Sequence, residues 1–180
     1  MIDTSQYKEQ KPRFLLRLFW IVINATLFRC IVGVRLAFLR NIMLRLFGAS
    51  VPKHCNIYPN VRIFAPWNLA IGEHSTIGPG CEIYNKGKVS IGNNVTVSQG
   101  TYVCTASHDV TSKTMRLKVS EISIHDGVWV ASQAFIGPGV TLHKGSVCSA
   151  RAVVFSDVPE YTIVSGNPAV FLKKRKVKYD

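Results

Sequence analysis

Five histidines are the side chains of this sequence best suited to proton transfer near neutral pH, and one differs from the rest in its position. His108 is the last residue of a six-residue unit, at the point where a repeat stops and a long insertion begins. An imidazole placed there could remove the proton of a weakly acidic hydroxyl group. The other four occupy second or fourth positions of their units, where we predict solvated turns: His54, His74, His125 and His143.

Asp109 follows His108 directly, and its position allows two interpretations. Its carboxylate could orient the imidazole, as the acidic partners of catalytic histidines do. It could equally begin the insertion, because aspartate is favoured in turns. The sequence leaves both interpretations open.

A six-residue repeat between Val51 and Pro159 must position these side chains. Each unit opens with an aliphatic residue, and a small or β-branched residue usually stands fifth. Fourteen of the fifteen openers are isoleucine, leucine or valine, and the other is cysteine, which behaves as a small buried hydrophobe. The openers are Val51, Ile57, Ile63, Ile71, Ile77, Ile83, Ile91, Val97, Val103, Ile124, Val130, Ile136, Leu142, Cys148 and Val154.

The interruptions of the repeat show how its units are grouped. Extra residues follow Ile63, Ile83 and Val103, and each of these opens the third unit of a group. Groups of three predict a coil with three flat sides, with insertions leaving from one corner. Short strands that turn a corner every six residues fit this period, whereas a helix of 3.6 residues per turn does not. We therefore predict an all-β fold of about five coils, whose strands stack as parallel sheets about 4.8 Å apart.

The repeat divides the chain into three parts. Residues 48–172 are predicted to form the solenoid domain, with residues 109–121 inserted as a loop. Loops on a rigid framework are where binding residues concentrate. Residues 1–47 form an apolar segment studded with arginine, and residues 173–180 form a basic tail.

Residues 13–47 carry apolar positions at helical spacing with arginines between them. The longest charge-free run, from Leu18 to Phe28, has eleven residues, whereas a membrane-spanning helix needs about twenty. Two compatible interpretations remain. The segment could pack as one or two helices on the end of the solenoid, or it could lie as a basic amphipathic helix on a membrane surface.

The net charge of +12 is concentrated at the two ends of the chain. Residues 1–47 contribute +6 and residues 172–180 contribute +4, so the solenoid itself is nearly neutral. This distribution argues against a nucleic-acid surface on the repeat. It favours an anionic partner at one end, such as a phosphorylated ligand or an acidic membrane.

The cysteines indicate a reducing compartment. There are five, and none is part of a C-x-x-C pair, so neither a disulfide framework nor a zinc knuckle is predicted. We expect a cytoplasmic protein, with peripheral contact to the inner face of the cytoplasmic membrane as a further possibility.

The repeat resembles the hexapeptide-repeat acyltransferases, which fold as left-handed parallel β-helices, over roughly residues 51–172. The segment Thr105-Ala-Ser-His-Asp resembles the catalytic-histidine segment of the sugar acetyltransferases in that family. Residues 124–132 resemble their acetyl-CoA-facing coil, and residues 161–169 resemble their closing motif. Together with Ala65-Pro-Trp, the apolar N-terminal segment is similar to the colanic-acid-type exopolysaccharide acetyltransferases.

This resemblance implies an O-acetyltransferase that moves an acetyl group from acetyl-CoA to a sugar hydroxyl in cell-surface polysaccharide synthesis. His108 would be the general base. Asn85 resembles a family asparagine near the acetyl group, although it could also be a turn residue in Asn-Lys-Gly. No serine or cysteine has a paired base at a recognisable spacing, so we expect direct transfer. The family also implies a homotrimer with sites between subunits, and no metal.

The resemblance also places the acetyl-CoA site on the later coils. Trp129 resembles the family tryptophan beside the pantetheine arm of CoA, although an exposed aromatic ring could also pack between subunits. The small residues that match CoA-contacting positions are Ala131, Ser132 and Ala150.

One departure from the family concerns the phosphates of CoA. Phe155-Ser156 stands where many members have Thr-Lys, whose lysine meets those phosphates. The positive charge is therefore expected from other residues, namely Arg151, Lys173, Lys174 and Arg175.

Two other classes of function remain open. The first is a non-catalytic trimeric scaffold docked on a membrane. The second is a zinc lyase of the carbonic-anhydrase kind, which shares this fold and needs three histidine ligands. The histidines here lack a clustered pair, so the zinc lyase is the weaker alternative.

Overall fold

The structure, a computed structural model, describes residues 2–5, 7 and 12–178. Three α-helices precede the repeat: α1 (Phe14–Ala25), α2 (Leu27–Cys30) and α3 (Ala37–Leu46). Short 3₁₀ helices lie at Val34–Leu36 and Pro66–Asn68. Among these residues, no helix has the length and apolarity needed to span a bilayer. Helices α1, α2 and α3 confirm the predicted helical N-terminal segment.

Short strands carry the repeat. In chain order they are β1 (Asn56–Ile57), β2 (Arg62–Ile63), β3 (Leu69–Ile71), β4 (Thr76–Ile77), β5 (Glu82–Tyr84), β6 (Val89–Ile91), β7 (Thr96–Val97), β8 (Tyr102–Cys104), β9 (Ala106–His108), β10 (Leu117–Val119), β11 (Ile122–Ile124), β12 (Trp129–Val130), β13 (Phe135–Ile136), β14 (Thr141–Leu142), β15 (Val147–Cys148), β16 (Val153–Val154), β17 (Thr162–Gly166) and β18 (Ala169–Lys174).

The strands stack into three faces. Face 1 contains β3, β6, β11 and β14, and face 3 contains β2, β5, β8, β13 and β16. Face 2 contains β1, β4, β7, β12 and β15 and continues into β17 and β18. Pairing within the repeat is parallel and places opener beside opener, as with Ile57, Ile77 and Val97. The predicted parallel β-helix of about five coils is confirmed.

The openers of the repeat form the core. All fifteen are at most 6% exposed. The register stacks each opener on that of the next coil, as Ile71 pairs with Ile91 and Ile91 with Ile124. Fully burying an aliphatic side chain contributes about 1.5–3 kcal/mol. A coil gains this burial only from its neighbours, so the two ends of the stack need covers.

The fourth residue of most units turns a corner with positive φ. Glycine holds this position in five units, at Gly80, Gly100, Gly127, Gly139 and Gly145. In four other units φ lies between 55° and 60° at His74, Asn94, Gln133 and Arg151. Residues other than glycine rarely adopt this conformation. His74 is therefore a corner residue, and its ring stacks on His54 at 5.8 Å, in keeping with the structural role predicted for both.

Helix α1 covers the open edge of face 3. β2 is the terminal strand of that face, and an uncovered edge presents unpaired backbone groups. Trp20 Nε1 donates to the carbonyl of Ile63 at 2.6 Å. Asn24 Nδ2 donates to the carbonyl of Val61 at 3.1 Å, and Asn24 Oδ1 accepts from the N–H of Ile63 at 3.3 Å. Both side chains are buried, so they act as substitutes for a neighbouring strand.

Helix α3 supplies the matching cover for face 2. Arg40 is 1% exposed, and its Nε donates to the carbonyl of Ile57 at 2.6 Å. Asn41 Nδ2 donates to the carbonyls of Cys55 at 2.8 Å and Pro52 at 3.2 Å. Polar side chains from two helices thus replace the missing coil at this end. The interpretation of the N-terminal segment as helices packed on the solenoid is confirmed.

Two hairpins depart from the predicted outline. β9 and β10 pair antiparallel, with His108 opposite Leu117, so the 109–121 insertion is partly a strand. β17 and β18 also pair antiparallel, and β18 extends through Lys173 and Lys174. These lysines, assigned above to a basic tail, therefore belong to the strand that ends face 2. The tail of irregular backbone begins at Arg175.

Candidate active site

His108 ends β9 and is exposed, at the corner between faces 3 and 1 where the insertion leaves the solenoid. Its Nδ1 lies 2.5 Å from the carbonyl oxygen of Met115 on the far side of the hairpin loop. A carbonyl oxygen can only accept, so Nδ1 carries the proton in this hydrogen bond. In the neutral imidazole the lone pair then lies on Nε2, and this is the form that accepts a proton from a substrate.

Met115 holds its carbonyl in place through an unusual backbone conformation. Its φ is 51°, in the left-handed region that residues other than glycine rarely adopt. Its N–H donates to the carbonyl of Ser112 at 3.1 Å, and the N–H of Ser112 donates to the carbonyl of Asp109 at 3.0 Å. Backbone strain of this kind clusters at functional sites. Here the turn directs a carbonyl to the histidine.

Asp109 fastens the same loop and is 5% exposed. Its Oδ1 accepts from Thr111 Oγ1 at 2.7 Å and from Thr111 N at 3.1 Å. Its Oδ2 lies 3.2 Å from Arg116 Nε and 3.3 Å from Lys118 Nζ. The hydrogen bond from the Thr111 hydroxyl, helped by the two cations, holds the pKa of Asp109 well below its usual range. Of the two interpretations, these contacts support the loop anchor over direct contact with His108.

Two residues near the N-terminus, Asp3 and Tyr7, form hydrogen bonds with this hairpin. The N–H of Asp3 donates to the carbonyl of Lys113 at 2.9 Å. The N–H of Leu117 donates to the hydroxyl of Tyr7 at 3.3 Å. Residues far apart in sequence thus meet at the hairpin that carries His108.

Asn85 is fully buried, and both ends of its amide are engaged inside the solenoid. Its Oδ1 accepts from the N–H of Ala65 at 3.0 Å, and its Nδ2 donates to the carbonyl of Ala65 at 2.7 Å. This arrangement fits a residue that joins two coils. The expected role of the Asn85 side chain near an acetyl group finds no support in these contacts.

Residues predicted for the acetyl-CoA site gather on coils four and five, beside the corner between faces 2 and 3. They are Trp129, Ala131, Ser132, Ala150 and Arg151. Trp129 is 46% exposed, and its Nε1 donates to Ser98 Oγ at 3.0 Å. The N–H of Arg151 donates to the carbonyl of Ser132 at 2.9 Å. Ala131 is buried, so Ser132 and Ala150 are the accessible small residues of this group.

Lys173 lies in line with Trp129 along face 2. The register joins Trp129 to Val147, Val147 to Ile163, and Ile163 to Lys173. Three strand spacings place the backbones of the two residues about 14 Å apart. Both are exposed, so the surface offers an aromatic side chain at one end and a cation at the other.

The other candidate cations already have partners. Lys174 Nζ donates to Thr162 Oγ1 at 3.0 Å, and Arg151 Nε donates to Gln133 Oε1 at 2.7 Å. Arg175 Nη1 donates to the carbonyls of Gly127 and Gly145, at 2.9 and 3.0 Å. Arg175 therefore ties the C-terminal segment to a corner of the solenoid.

Three buried cysteines are unsuited to carry an acyl group. Burial raises the pKa of Cys55 and of Cys148 to about 12, and that of Cys81 to about 11. The reactive form of cysteine is the thiolate, which these thiols do not provide near neutral pH. All five cysteines of the chain are free of disulfides.

The histidine set of a zinc lyase is not assembled in residues 2–5, 7 and 12–178. No group of three or more histidine, cysteine, aspartate or glutamate side chains in this part of the chain could hold a metal ion. His125 and His143 do meet, with ring centroids 5.2 Å apart, but as a pair on neighbouring coils.

The loop that supports His108 contains three residues whose role at the site was not predicted from the sequence, namely Met115, Arg116 and Lys118. Met115 acts through a backbone carbonyl and a left-handed φ, neither of which a methionine signals. Arg116 and Lys118 act through a carboxylate seven and nine residues earlier. Their positive charge beside Asp109 was visible in the sequence, and alternation in a hairpin could have suggested the pairing.

A parallel solenoid of six-residue units, with a histidine at the mouth of an inserted hairpin, defines the class of the hexapeptide-repeat acyltransferases. None of the protein-family models matches the sequence. A curated relative does: WcaF of Escherichia coli K12, described as a putative colanic acid biosynthesis acetyltransferase. It is 36% identical over 156 residues, which cover 87% of this chain and 85% of the relative.

Solved structures agree with this assignment. A maltose O-acetyltransferase from Clostridium difficile 630 superposes with a TM-score of 0.79 at 27% identity, covering 91% of this chain and 89% of the other. The hexapeptide-repeat acetyltransferase VCA0836 from Vibrio cholerae, in complex with acetyl-CoA, gives 0.82 at 26% identity, covering 98% and 97%. The chain belongs to the hexapeptide-repeat acetyltransferases. It is an enzyme of that class, for which acetyl-CoA is the acetyl donor.

Proposed function

We propose that the protein is an O-acetyltransferase that transfers the acetyl group of acetyl-CoA to a sugar hydroxyl, with His108 as the general base. The observation that carries the proposal is the hydrogen bond between His108 Nδ1 and the carbonyl of Met115. In the neutral ring this hydrogen bond leaves Nε2 free to accept a proton, and the ring is exposed. A base held in the correct tautomer typically accelerates such a reaction by about 10²–10⁴.

The reaction proceeds by direct attack. Nε2 of His108 takes the proton of the sugar hydroxyl as its oxygen attacks the carbonyl carbon of the thioester. The tetrahedral intermediate collapses with cleavage of the carbon–sulfur bond, and the imidazolium returns the proton to the leaving CoA thiolate. The products are an acetyl ester and CoA. The raised pKa values of Cys55, Cys81 and Cys148 support a route without an acyl-enzyme.

The acceptor proposed here is a sugar unit of a cell-surface polysaccharide or of its precursor. The similarity to WcaF and to a maltose O-acetyltransferase supports a carbohydrate hydroxyl. Half-buried aromatic side chains on face 3 are consistent with this, because sugar rings pack on aromatic faces. Phe64 lies against Tyr84 at 4.8 Å, and Tyr102 lies against Phe135 at 5.6 Å.

A homotrimer with sites between neighbouring subunits would unite the two halves of the site. His108 stands at the corner between faces 3 and 1, whereas Trp129 stands on face 2. One face is a six-residue unit, which spans at most about 20 Å. A neighbouring copy that places its face 2 against the His108 corner would bring base and thioester together. Unpaired cysteines and the need for acetyl-CoA support a cytoplasmic location.

CoA binding tests the donor half of this proposal. Thermal unfolding should show a saturable rise in Tm with CoA, since a ligand at 100 times its Kd adds about 2.7 kcal/mol. Lys173→Glu should raise the Kd for CoA about tenfold, because it reverses a charge in line with Trp129, while Lys53→Glu should not change it. The absence of any shift up to millimolar CoA would contradict the donor assignment and favour a non-catalytic scaffold.

Asp109→Asn tests the loop that holds the Met115 carbonyl. The amide keeps an acceptor for Thr111 but loses the ion pairs with Arg116 and Lys118. We expect kcat for acetyl transfer to fall about 10- to 100-fold, since loss of alignment has effects of that size. The KM for acetyl-CoA and the CoA-induced change in Tm should stay the same, because Asp109 lies outside the donor surface.

Asp126→Asn is the matched control, since its carboxylate also caps a backbone N–H, that of Asn93, but at another corner. An equal loss of kcat in both variants would show that Asp109 acts only through overall stability. Because the folded pKa of Asp109 is depressed, its contacts persist above the unfolded value of about 3.9 and weaken only as pH falls through the lower folded value. The comparison therefore holds throughout the neutral range.

A further inference from the structure

Helix α1 carries large apolar residues on its outer side as well as Trp20 on its buried side. Trp20 and Asn24 are buried against the first coil. The opposite side carries six exposed large apolar residues with the spacing of one helix face: Phe14, Leu15, Leu18, Phe19, Ile21 and Val22. A helix face made of large apolar residues is normally covered by another part of the protein or by a partner. The outer side of α1 therefore lacks the polar residues that a solvent-facing helix would have.

Helix α3 repeats this arrangement. Its buried side contains Arg40, Asn41 and Leu44, which pack on the first coil. Its outer side exposes four apolar residues: Phe38, Leu39, Ile42 and Leu46. Four more are exposed in the connecting segment, at Leu27, Val32, Val34 and Leu36. We call these fourteen residues the apolar helical surface.

The apolar helical surface comes from a short part of the sequence. Across residues 2–5, 7 and 12–178, 24 large hydrophobic side chains are exposed, and these fourteen fall within 33 consecutive residues. Monomeric soluble proteins rarely expose apolar patches of more than a few hundred Å², and larger ones mark protein or membrane contacts. This end of the solenoid is thus built to be covered.

The charges around this surface identify what covers it. From Pro12 to Gly72 the sequence has no aspartate or glutamate, but it has eight lysines and arginines. Arg29 and Arg35 are exposed and lie between the apolar residues of the connecting segment. A partner that is apolar within and negatively charged at its rim matches this pattern. Anionic phospholipid provides both features, since its phosphates attract basic residues beside an inserted apolar face.

The geometry favours a helix in the plane of the membrane. The twelve residues of α1 extend about 18 Å, whereas the hydrocarbon core of a bilayer is about 30 Å thick. The inner sides of α1 and α3 already pack on the first coil through Trp20, Asn24 and Arg40. The outer sides can therefore enter only the interfacial layer.

We propose that the apolar helical surface docks the enzyme on a bilayer that contains anionic phospholipid. The solenoid would stand on the membrane with its first coil nearest the lipid. This inference rests on the exposed residues and the charge pattern, and it is independent of the proposed acetyl transfer.

Flotation with lipid vesicles tests the proposal. Full-length protein should bind vesicles of phosphatidylcholine with 30% phosphatidylglycerol, and bind pure phosphatidylcholine more weakly. Leu15→Ser with Phe19→Ser should reduce binding by at least about tenfold, because two fully inserted side chains are lost. Arg29→Glu with Arg35→Glu should reduce binding to the anionic vesicles by about fivefold for each arginine that is replaced.

The control is Val170→Ser with Phe171→Ser on β18, at the far end of the solenoid. Those side chains are 64% and 62% exposed, close to the 71% and 68% of Leu15 and Phe19. The control variant should bind vesicles as the wild type does. Wild type, test and control should share one Tm and one response to CoA, which separates failure of this proposal from failure of the catalytic one.

Two results would overturn the docking surface. One is a wild type that floats with neither kind of vesicle. The other is a Leu15→Ser/Phe19→Ser variant that binds as well as the wild type. The wild type could fail to bind vesicles while only the Leu15→Ser/Phe19→Ser variant has a smaller oligomeric state in solution. The surface would then join copies of the chain and not bind lipid.

Discussion

His108→Ala is expected to lower kcat for acetyl transfer by about 10²- to 10⁴-fold, the usual contribution of a positioned general base. A sugar hydroxyl loses its proton poorly without a base, and no other histidine lies at the inserted hairpin. The CoA-induced rise in Tm should persist, because the predicted CoA residues lie on a different corner. Release of free CoA thiol in the presence of sugar acceptors is the measurement.

His143→Ala is the matched control for this variant. The ring of His143 lies 5.2 Å from that of His125, on the neighbouring coil. Neither histidine belongs to the hairpin that carries His108. Its replacement should leave kcat within about twofold of the wild type. Full activity in His108→Ala would exclude this histidine as the base. A loss of CoA binding together with activity would instead indicate that the variant no longer folds.

Met115 explains why the tautomer of His108 is not readable from the sequence. The hydrogen bond comes from a backbone carbonyl whose direction depends on a φ of 51°. Sequence patterns describe side chains, and any residue has a carbonyl. The position of His108 at the end of a unit was informative because the repeat sets where the chain leaves the solenoid, but its partner lies within the irregular segment.

The solenoid was predictable because its core repeats a single physical requirement. An aliphatic residue every sixth position, with extra residues only after every third unit, determines three faces and the number of coils. The repeat does not by itself show which side chains of different coils contact each other. Asn85 shows this, since its partner Ala65 is twenty residues earlier and is reached only once the coils are stacked. A buried asparagine that joins two coils and a site asparagine look alike in the sequence.

The polar residues of the N-terminal helices were equally ambiguous. Arginines between apolar positions suit both a membrane-facing helix and a packed helix. The structure separates them by burial, with Arg40 inside against the first coil and Arg29 and Arg35 outside. The packing interpretation is confirmed for one side of these helices, and membrane contact stays our proposal for the other side. One side covers the open coil, and the other forms the apolar helical surface.

Arg40→Met should destabilise the fold by about 3 kcal/mol, which corresponds to a fall in Tm of about 6–12 °C for a chain of this size. The guanidinium donates to the carbonyl of Ile57 at the edge of face 2, and its Nη1 reaches the carbonyls of Ile31 and Gly33. Methionine fills similar volume without a donor, so the buried carbonyl of Ile57 and the half-buried carbonyls of Ile31 and Gly33 lose their partner. Thermal unfolding without lipid is the measurement.

Arg35→Met removes the same charge from an exposed position in the same segment. It should leave Tm within about 2 °C of the wild type, because surface substitutions rarely exceed ±0.5 kcal/mol. Equal unfolding of Arg40→Met and wild type would mean that water replaces the guanidinium at the edge of face 2. A fall confined to Arg40→Met would show that α3 stabilises the first coil by hydrogen bonding, as a neighbouring strand does elsewhere in the stack. The solenoid would then depend on this polar cover at its N-terminal end, since a terminal coil has only one neighbour to share its burial.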